Sequence, residues 1–183
     1  MLRFRATTVA TALRAIQRLE HIARWSAIVE LSSPATSRIQ ADAVQMSILQ
    51  DGQELKAGEI RLEYQQQQGK WKSPAFTVRL KNTSPEPLYC ALLDLTDRYA
   101  VSAGLLDGGG IWLSPGDEAW ALGGKPIYST VPKELWEQGI TEVKDLLKLI
   151  VSTAEFDATL LEQGDLDYPF PVAHDRLSAG KER

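Results

Sequence analysis

The chain has 183 residues, of which 44% are hydrophobic and 24% charged, a composition typical of one globular domain with enough apolar side chains for a core. Its formal net charge of -4 argues against a general affinity for nucleic acid, which requires an excess of lysine and arginine. The single cysteine, Cys90, excludes an internal disulfide framework and favours a reducing, cytoplasmic location. No stretch is apolar over the roughly 18 residues that a membrane helix requires.

The N-terminal segment differs from the rest of the chain in charge and in pattern. Residues 1–25 carry five arginines and only one acidic residue, which gives a local charge of +4 and leaves -8 for the remainder. This composition also occurs in organelle transit peptides. We predict instead an amphipathic helix over residues 1–31, anchored by Trp25, whose apolar stripe docks on its own domain, on a protein partner or on a membrane surface. The stripe consists of Val9, Ala12, Leu13, Ile16, Leu19 and Ala23, and Arg14, Arg18 and Glu20 are expected to lie largely off it.

After a linker over residues 32–41, the period of the apolar residues changes from helical to two. Alternating runs predict strands at residues 44–48, 60–64 and 76–80, with a turn at Asp51-Gly52. Asn82-Thr83-Ser84-Pro85 is a cluster whose side chains form local turn hydrogen bonds. The almost continuously apolar run 88–95 predicts a central strand that is buried on both faces.

Further strands are predicted at residues 101–105, 111–113, 118–122 and 144–153, with a β-turn at Ser114-Pro115-Gly116-Asp117. Short helices are predicted at Pro132–Gln138, with Gly139 as its stop, and at Phe156–Gln163. Residues 164–183 are predicted to form a mobile tail. The fold class is therefore mainly β: an antiparallel Ig-like β-sandwich over residues 42–163, preceded by the amphipathic helix.

The sequence offers few groups for catalysis. Cys90 would need His21 or His174 as its base, but it lies inside an apolar run, where we expect a buried structural thiol. No metal-binding motif is present, and we predict no cofactor. The alternative to a non-catalytic protein is a hydrolase that uses carboxylates in an unrecognised pocket, with Asp94, Asp97 and Asp107 as the candidates nearest the predicted strand ends.

The interaction surface is expected at two places. The triple glycine 108–110 precedes strand-like residues rather than a helix, so it predicts a hairpin or bulge with positive φ and not a phosphate loop. The tryptophans that flank the turn at residues 114–117 are expected to form a cross-strand pair or a rim contact. The candidate surface residues are Trp112, Trp120 and Gly109 on the sandwich, and Leu13, Ile16, Arg14 and Arg18 on the helix.

Several motifs occur in an order that resembles a known module. They are Leu80-Lys81-Asn82 before Leu88-Tyr89, then Leu92-Leu93-Asp94-Leu95, Leu113-Ser114-Pro115-Gly116, and the segment 142–153 (EVKDLLKLIVST) followed by Phe156-Asp157. Over about residues 38–163 the chain resembles the β-sandwich domain of unknown function that accompanies bacterial caspase-like (metacaspase or orthocaspase) peptidases.

This resemblance implies an accessory domain whose partner is a caspase-like peptidase. It implies no proteolysis by the chain itself, because such a peptidase domain needs a His-Gly element and a cysteine in an acidic, glycine-containing loop. The two histidines here are followed by Ile22 and Asp175. No catalytic residue is therefore carried over from the family.

Overall fold

The computed structural model describes residues 9–56 and 58–166. Two α-helices and eleven strands form the regular structure of this part of the chain. The helices are α1 (Val9–Glu30) and α2 (Lys133–Glu137). The strands are β1 (Val44–Gln50), β2 (Gln53–Glu54), β3 (Gln65–Gln67), β4 (Lys70–Lys72), β5 (Ala75–Asn82), β6 (Leu88–Thr96), β7 (Val101–Ser102), β8 (Ile111–Leu113), β9 (Glu118–Trp120), β10 (Ile127–Tyr128) and β11 (Asp145–Ser152).

Two antiparallel sheets pack face to face. The first sheet has the order β10-β5-β1-β2, with β9 also paired to β5, and the second has the order β11-β6-β7, with β8 also paired to β6. β3 and β4 form a separate hairpin. The core between the sheets combines residues of both: Val44, Val78 and Leu80 from the first with Leu88, Cys90, Leu92 and Leu113 from the second. The mainly β prediction is confirmed.

Strand β6 explains why the second sheet is buried on both faces. Alternate side chains of a strand point to opposite faces, and here Cys90 and Leu92 enter the core between the sheets, while Ala91, Leu93 and Leu95 enter a second apolar cluster on the outer face. This confirms the prediction of a central strand from the continuous apolar run. The outer cluster is completed by Ile28 of α1, by Val101, Ala103 and Ala158, and by the partly buried Trp25, Val29, Ile150, Phe156 and Leu161.

The end of β5 is tied to the second sheet by a buried asparagine. Asn82 Nδ2 donates to the carbonyls of Glu86 and Leu113, both at 2.8 Å. Its Oδ1 accepts from the backbone N–H and the hydroxyl of Ser84, at 2.9 and 2.7 Å. The turn cluster predicted at residues 82–85 is therefore correct, and because Leu113 belongs to β8, the same side chain also joins the two sheets.

Further local predictions concern a turn, a helix stop and a strand, and only the strand is wrong. The turn at Asp51-Gly52 has positive φ values at both residues, and α2 ends at Glu137, two residues before the predicted stop Gly139, which has a φ of 82°. The predicted strand at residues 60–64 is wrong: Ile60, Leu62 and Tyr64 are partly buried in a segment that has no regular secondary structure and pairs with no other strand of the described residues. This segment is held instead by the Tyr64 hydroxyl, which accepts from the Val131 N–H at 2.8 Å.

Three further elements are shorter than predicted. Of residues 118–122 only Glu118–Trp120 form a strand, because Ala121–Gly124 form a 3-10 turn. Of residues 101–105 only Val101 and Ser102 pair as a strand, since the chain then turns away to reach β8. The predicted helix at residues 156–163 is a single 3-10 turn, Ala158–Leu161, capped by Asp157, whose Oδ1 accepts from the Thr159 N–H at 3.0 Å. Most of the predicted tail, residues 167–183, lies outside the described residues, and so does His174.

Candidate interaction surface

The C-terminal half of α1 docks on the outer face of the second sheet. Ile28 is buried there, and Trp25 and Val29 pack beside it. The Trp25 ring meets the Tyr99 ring edge to face, with 5.3 Å between centroids and 75° between planes. The predicted role of Trp25 as the anchor of the helix is therefore confirmed.

Polar contacts fix the orientation of α1. His21 Nε2 lies 3.0 Å from the carbonyl oxygen of Tyr99, and since a carbonyl only accepts, this nitrogen carries the proton. Gln163 Nε2 donates both to the His21 carbonyl, at 3.2 Å, and to the Tyr99 carbonyl, at 2.7 Å. At the other end, Lys148 Nζ donates to the Val29 carbonyl at 2.6 Å, where it satisfies a carbonyl of the last helical turn. Partial burial lowers the pKa of Lys148.

The predicted apolar stripe of α1 lies on the opposite side of the helix from this docked face. Successive helical residues are about 100° apart, so Ile16 is about 180° from Trp25, and Leu13 about 160° from Val29. Val9, Leu13, Ile16 and Leu19 are accordingly 54% to 87% exposed. The described residues therefore leave these four side chains largely uncovered, and the predicted docking of the stripe on the chain's own domain is not seen among them.

The predicted arginines lie away from the exposed stripe. Arg14 and Arg18 are each about 160° to 200° from Ile16 around the helix, on the side of α1 that carries the docked residues. Arg14 is exposed and Arg18 is partly buried. The first half of α1 is therefore apolar on its outer side and basic on the other.

The predicted sandwich residues do not form one surface. Trp112 on β8 packs edge to face on Tyr89 at 5.5 Å, whereas Trp120 on β9 lies 5.8 Å from the guanidinium of Arg79. β8 pairs with β6 and β9 pairs with β5, so the turn between them crosses from one sheet to the other and the predicted cross-strand pair is wrong. Both rings are exposed, at 44% and 39%.

Gly109 is buried rather than displayed. Its φ of 84° and the 66° of Gly108 confirm the predicted positive φ, although the loop connects two strands on the same side of β6 and is not a hairpin. A Cβ on Gly109 would lie 3.1 Å from the Thr159 side chain. This close approach explains the need for glycine at this position.

Three carboxylates gather where β6 ends and β11 begins. Asp94 and Asp145 lie on the side of the second sheet that faces the first, and Asp97 follows β6 directly. Burial raises the pKa of Asp94, whose Oδ1 is buried without a hydrogen-bond partner in the described part of the chain. Desolvation by neighbouring protein atoms and the charges of Asp94 and Asp97 raise the pKa of Asp145 to about 6, although the residue remains exposed to solvent.

This carboxylate cluster differs from the predicted one. Asp145 was not among the predicted candidates, although it stands at the beginning of the alternating run 144–153 and therefore near the start of a predicted strand. Asp107 lies instead on the 3-10 turn before β8. The nearby Lys144 ammonium pairs with Glu59 at 3.1 Å, and Arg98 pairs with Asp165 at 2.6 Å, so these two cations are directed to other carboxylates.

Cys90 is fully buried in the core between the sheets, and burial raises the pKa of its thiol to about 11. His21 is engaged with Tyr99 on the outer face, so the structure does not bring these two residues together. The prediction of a buried thiol is confirmed. In residues 9–56 and 58–166, no group of histidine, cysteine or acidic side chains is arranged to hold a metal ion.

No protein-family model, curated protein or solved structure matches the chain. No helix of the described part combines the length and the apolarity that crossing a bilayer requires. Because these comparisons indicate no function, we base the functional hypothesis on the exposed stripe of α1.

Proposed function

We propose that the chain is a non-catalytic protein-interaction module that binds its partner through the exposed stripe of α1. The supporting observation is that α1 has two apolar sides: Trp25, Ile28 and Val29 attach it to the sandwich, and the stripe that includes Leu13 and Ile16 faces solvent. Contiguous exposed apolar side chains of this kind mark interaction sites in soluble proteins. An amphipathic helix binds by placing such residues in a groove.

The partner we propose is a protein with an apolar groove bordered by acidic side chains. Residues 1–25 carry a charge of +4, which attracts an acidic partner surface over some distance and repels a basic one, although Arg14 and Arg18 themselves lie away from the stripe. A bilayer suits the stripe less well, because Glu20, which was expected to lie off the stripe, falls within it, between the positions of Leu13 and Ile16 around the helix. Burying that carboxylate among lipid chains would be costly.

The resemblance noted in the sequence supplies a specific candidate for this partner, a caspase-like peptidase domain. In this proposal the sandwich is a rigid support, since the contacts of His21 and Lys148 with opposite ends of the docked half fix how α1 is presented. A preorganised helix binds with less loss of conformational entropy than a free one.

The proposal is tested by measuring binding of the full chain to a purified caspase-like peptidase encoded in the same genome. Ile16→Glu should weaken binding at least about tenfold, because it places a charge in the apolar contact. The matched control is Leu160→Glu, which changes an equally apolar residue that is 75% exposed on the 3-10 turn, far from the stripe in the chain. This control should bind as the unmodified chain does.

Equal loss of binding in both variants would show a general charge effect and would contradict the proposal. So would unchanged binding of Ile16→Glu, or no binding by the unmodified chain. Flotation with vesicles of anionic lipid distinguishes the membrane alternative: association that Ile16→Glu abolishes would assign the stripe to a bilayer instead.

A further inference from the structure

The loop that joins β6 to β7 contains a backbone conformation that does not suit its sequence. β6 ends at Thr96, and the Thr96 N–H donates to the Ala100 carbonyl at 3.1 Å, so residues 97–99 form a three-residue loop. The last residue of this loop, Tyr99, has a φ of 64°, which lies in the left-handed region. Glycine is the usual residue at this position of such a loop, because a side chain disfavours a positive φ.

The backbone carbonyl of Tyr99 is bonded to α1. It accepts from His21 Nε2 at 3.0 Å and from Gln163 Nε2 at 2.7 Å. The Gln163 amide also donates to the His21 carbonyl at 3.2 Å, so both partners of the Tyr99 carbonyl are connected to the same turn of the helix. The Tyr99 N–H, in contrast, stays within the loop and donates to the Thr96 carbonyl at 3.1 Å.

The side chain of Tyr99 contacts α1 as well. Its ring meets the Trp25 ring edge to face, with 5.3 Å between centroids. Trp25 follows His21 by four residues, so both lie on the same side of the helix. A strained residue persists only where the surrounding structure holds it in place. Around Tyr99, these three contacts are also contacts that dock α1.

We propose that Tyr99 is a positioning residue for α1, and that a tyrosine occupies a position suited to glycine for this reason. If Tyr99 served only the connection between β6 and β7, glycine would serve at least as well, because it adopts a positive φ without strain. The two roles therefore lead to opposite expectations for Tyr99→Gly. Glycine should improve a residue that only makes a turn, but it should loosen a helix that depends on the ring.

Hydrogen exchange of the backbone amides of the full chain, resolved by residue, tests this role. In Tyr99→Gly we expect the amides of the docked half of α1, residues 21–30, to exchange at least about tenfold faster, because the helix loses its aromatic contact and opens locally. The amides of β6 should keep their protection, since β6 lies between two apolar clusters that hold it in both sheets' packing.

Tyr99→Phe is the matched control, because it keeps both the ring and the backbone at this position. Exchange in α1 and in β6 should equal that of the unmodified chain. A second comparison adds Tyr99→Gly to Trp25→Ala. The ring contact is already lost in that background, so the further change in α1 exchange should be small.

Unchanged or slower exchange of α1 in Tyr99→Gly would overturn the proposal, because it would show that Tyr99 serves the loop alone. An equal increase in α1 and β6 would also overturn it, since it would show a role in the whole sandwich. So would a full tenfold increase in the Trp25→Ala background, which would mean that the ring contact is not the cause.

The consequence for a partner rests on the function proposed above. Tyr99 lies outside the exposed stripe, yet Tyr99→Gly should weaken binding to the peptidase several-fold, because a loosely held helix loses more conformational entropy on binding. Faster exchange of α1 with unchanged binding would refute a role of Tyr99 in presenting the stripe. Absence of binding by the unmodified chain would contradict the proposed function, whereas the exchange measurement, which needs no partner, would still decide whether Tyr99 positions α1.

Discussion

Asn82 joins the two sheets, so replacing it should be among the most destabilising single changes in the domain. The side chain is fully buried and makes four hydrogen bonds, two as donor and two as acceptor. Each such bond contributes about 0.5 to 1.5 kcal/mol net, and the bonds that reach water on the turn recover part of the loss. We therefore expect Asn82→Ala to lower the free energy of unfolding by about 3 kcal/mol.

Urea unfolding followed by tryptophan fluorescence measures this change. The midpoint should fall while the m-value stays constant, because the surface exposed on unfolding is unaltered. Ser84→Ala is the control: it removes the hydroxyl that donates to Asn82 Oδ1 at 2.7 Å and keeps the other three bonds of Asn82, so it should lose about 1 kcal/mol. A loss below about 1 kcal/mol for Asn82→Ala would refute the assigned role of this side chain.

Three further predictions concern the helix, the carboxylates and a close packing contact. Ile28→Ala should destabilise the chain by about 2 kcal/mol, because it removes buried packing, whereas Ile16→Ala on the exposed side should change stability by less than about 0.5 kcal/mol. Asp145→Asn should stabilise the fold by about 1 kcal/mol at pH 7.5, a value reduced from the full shift because Asp145 is exposed and screened. Gly110→Ala should destabilise by about 1 to 3 kcal/mol, since its Cβ would lie 2.5 Å from the Tyr89 hydroxyl oxygen.

The sign of the Asp145 prediction follows from its raised pKa. Between the ordinary pKa of 3.8 and the folded value of about 6 the folded chain holds more protons than the unfolded one, so the stability of the unmodified chain falls as pH rises through this window. The gain from Asp145→Asn should therefore be complete above pH 6 and absent near pH 4. A gain that persists at pH 4 would mean that it does not arise from ionisation of Asp145.

Controls exist for the other two predictions. For the glycine, Gly104→Ala should be close to neutral, because its Cβ would find its nearest neighbour at 3.5 Å, an ordinary contact. Equal destabilisation at Gly104 and Gly110 would remove the packing explanation. For the helix, similar effects of Ile16→Ala and Ile28→Ala would mean that both sides of α1 are covered.

The sequence was most informative where the physical cause is local. The turn at Asp51-Gly52, the capping stop at Gly139 and the Pro115-Gly116 turn all depend on the φ preferences of one or two residues. The nine-residue strand β6 was equally predictable, because a strand that is buried on both faces needs apolar side chains at almost every position.

The misses all depend on which segments meet in space. Ile60, Leu62 and Tyr64 alternate as a strand would, yet no strand of the described residues pairs with them, and the Tyr64 hydroxyl takes a backbone partner instead. Trp112 and Trp120 flank a turn as hairpin residues would, but the turn carries the chain between sheets. The alternation shows which side chains of a segment are apolar, but it does not show which strand lies beside that segment.

The error about α1 has the same origin and bears most directly on function. A stripe at helical spacing predicts that a side of the helix is apolar, but α1 has two such sides, and the pattern alone cannot assign them to different partners. The short group Trp25, Ile28 and Val29 is docked on the sandwich because it lies next to the connection to β1 and brings an aromatic anchor. The longer stripe faces solvent in the described part of the chain, and the proposed binding role is what assigns a purpose to this second apolar side.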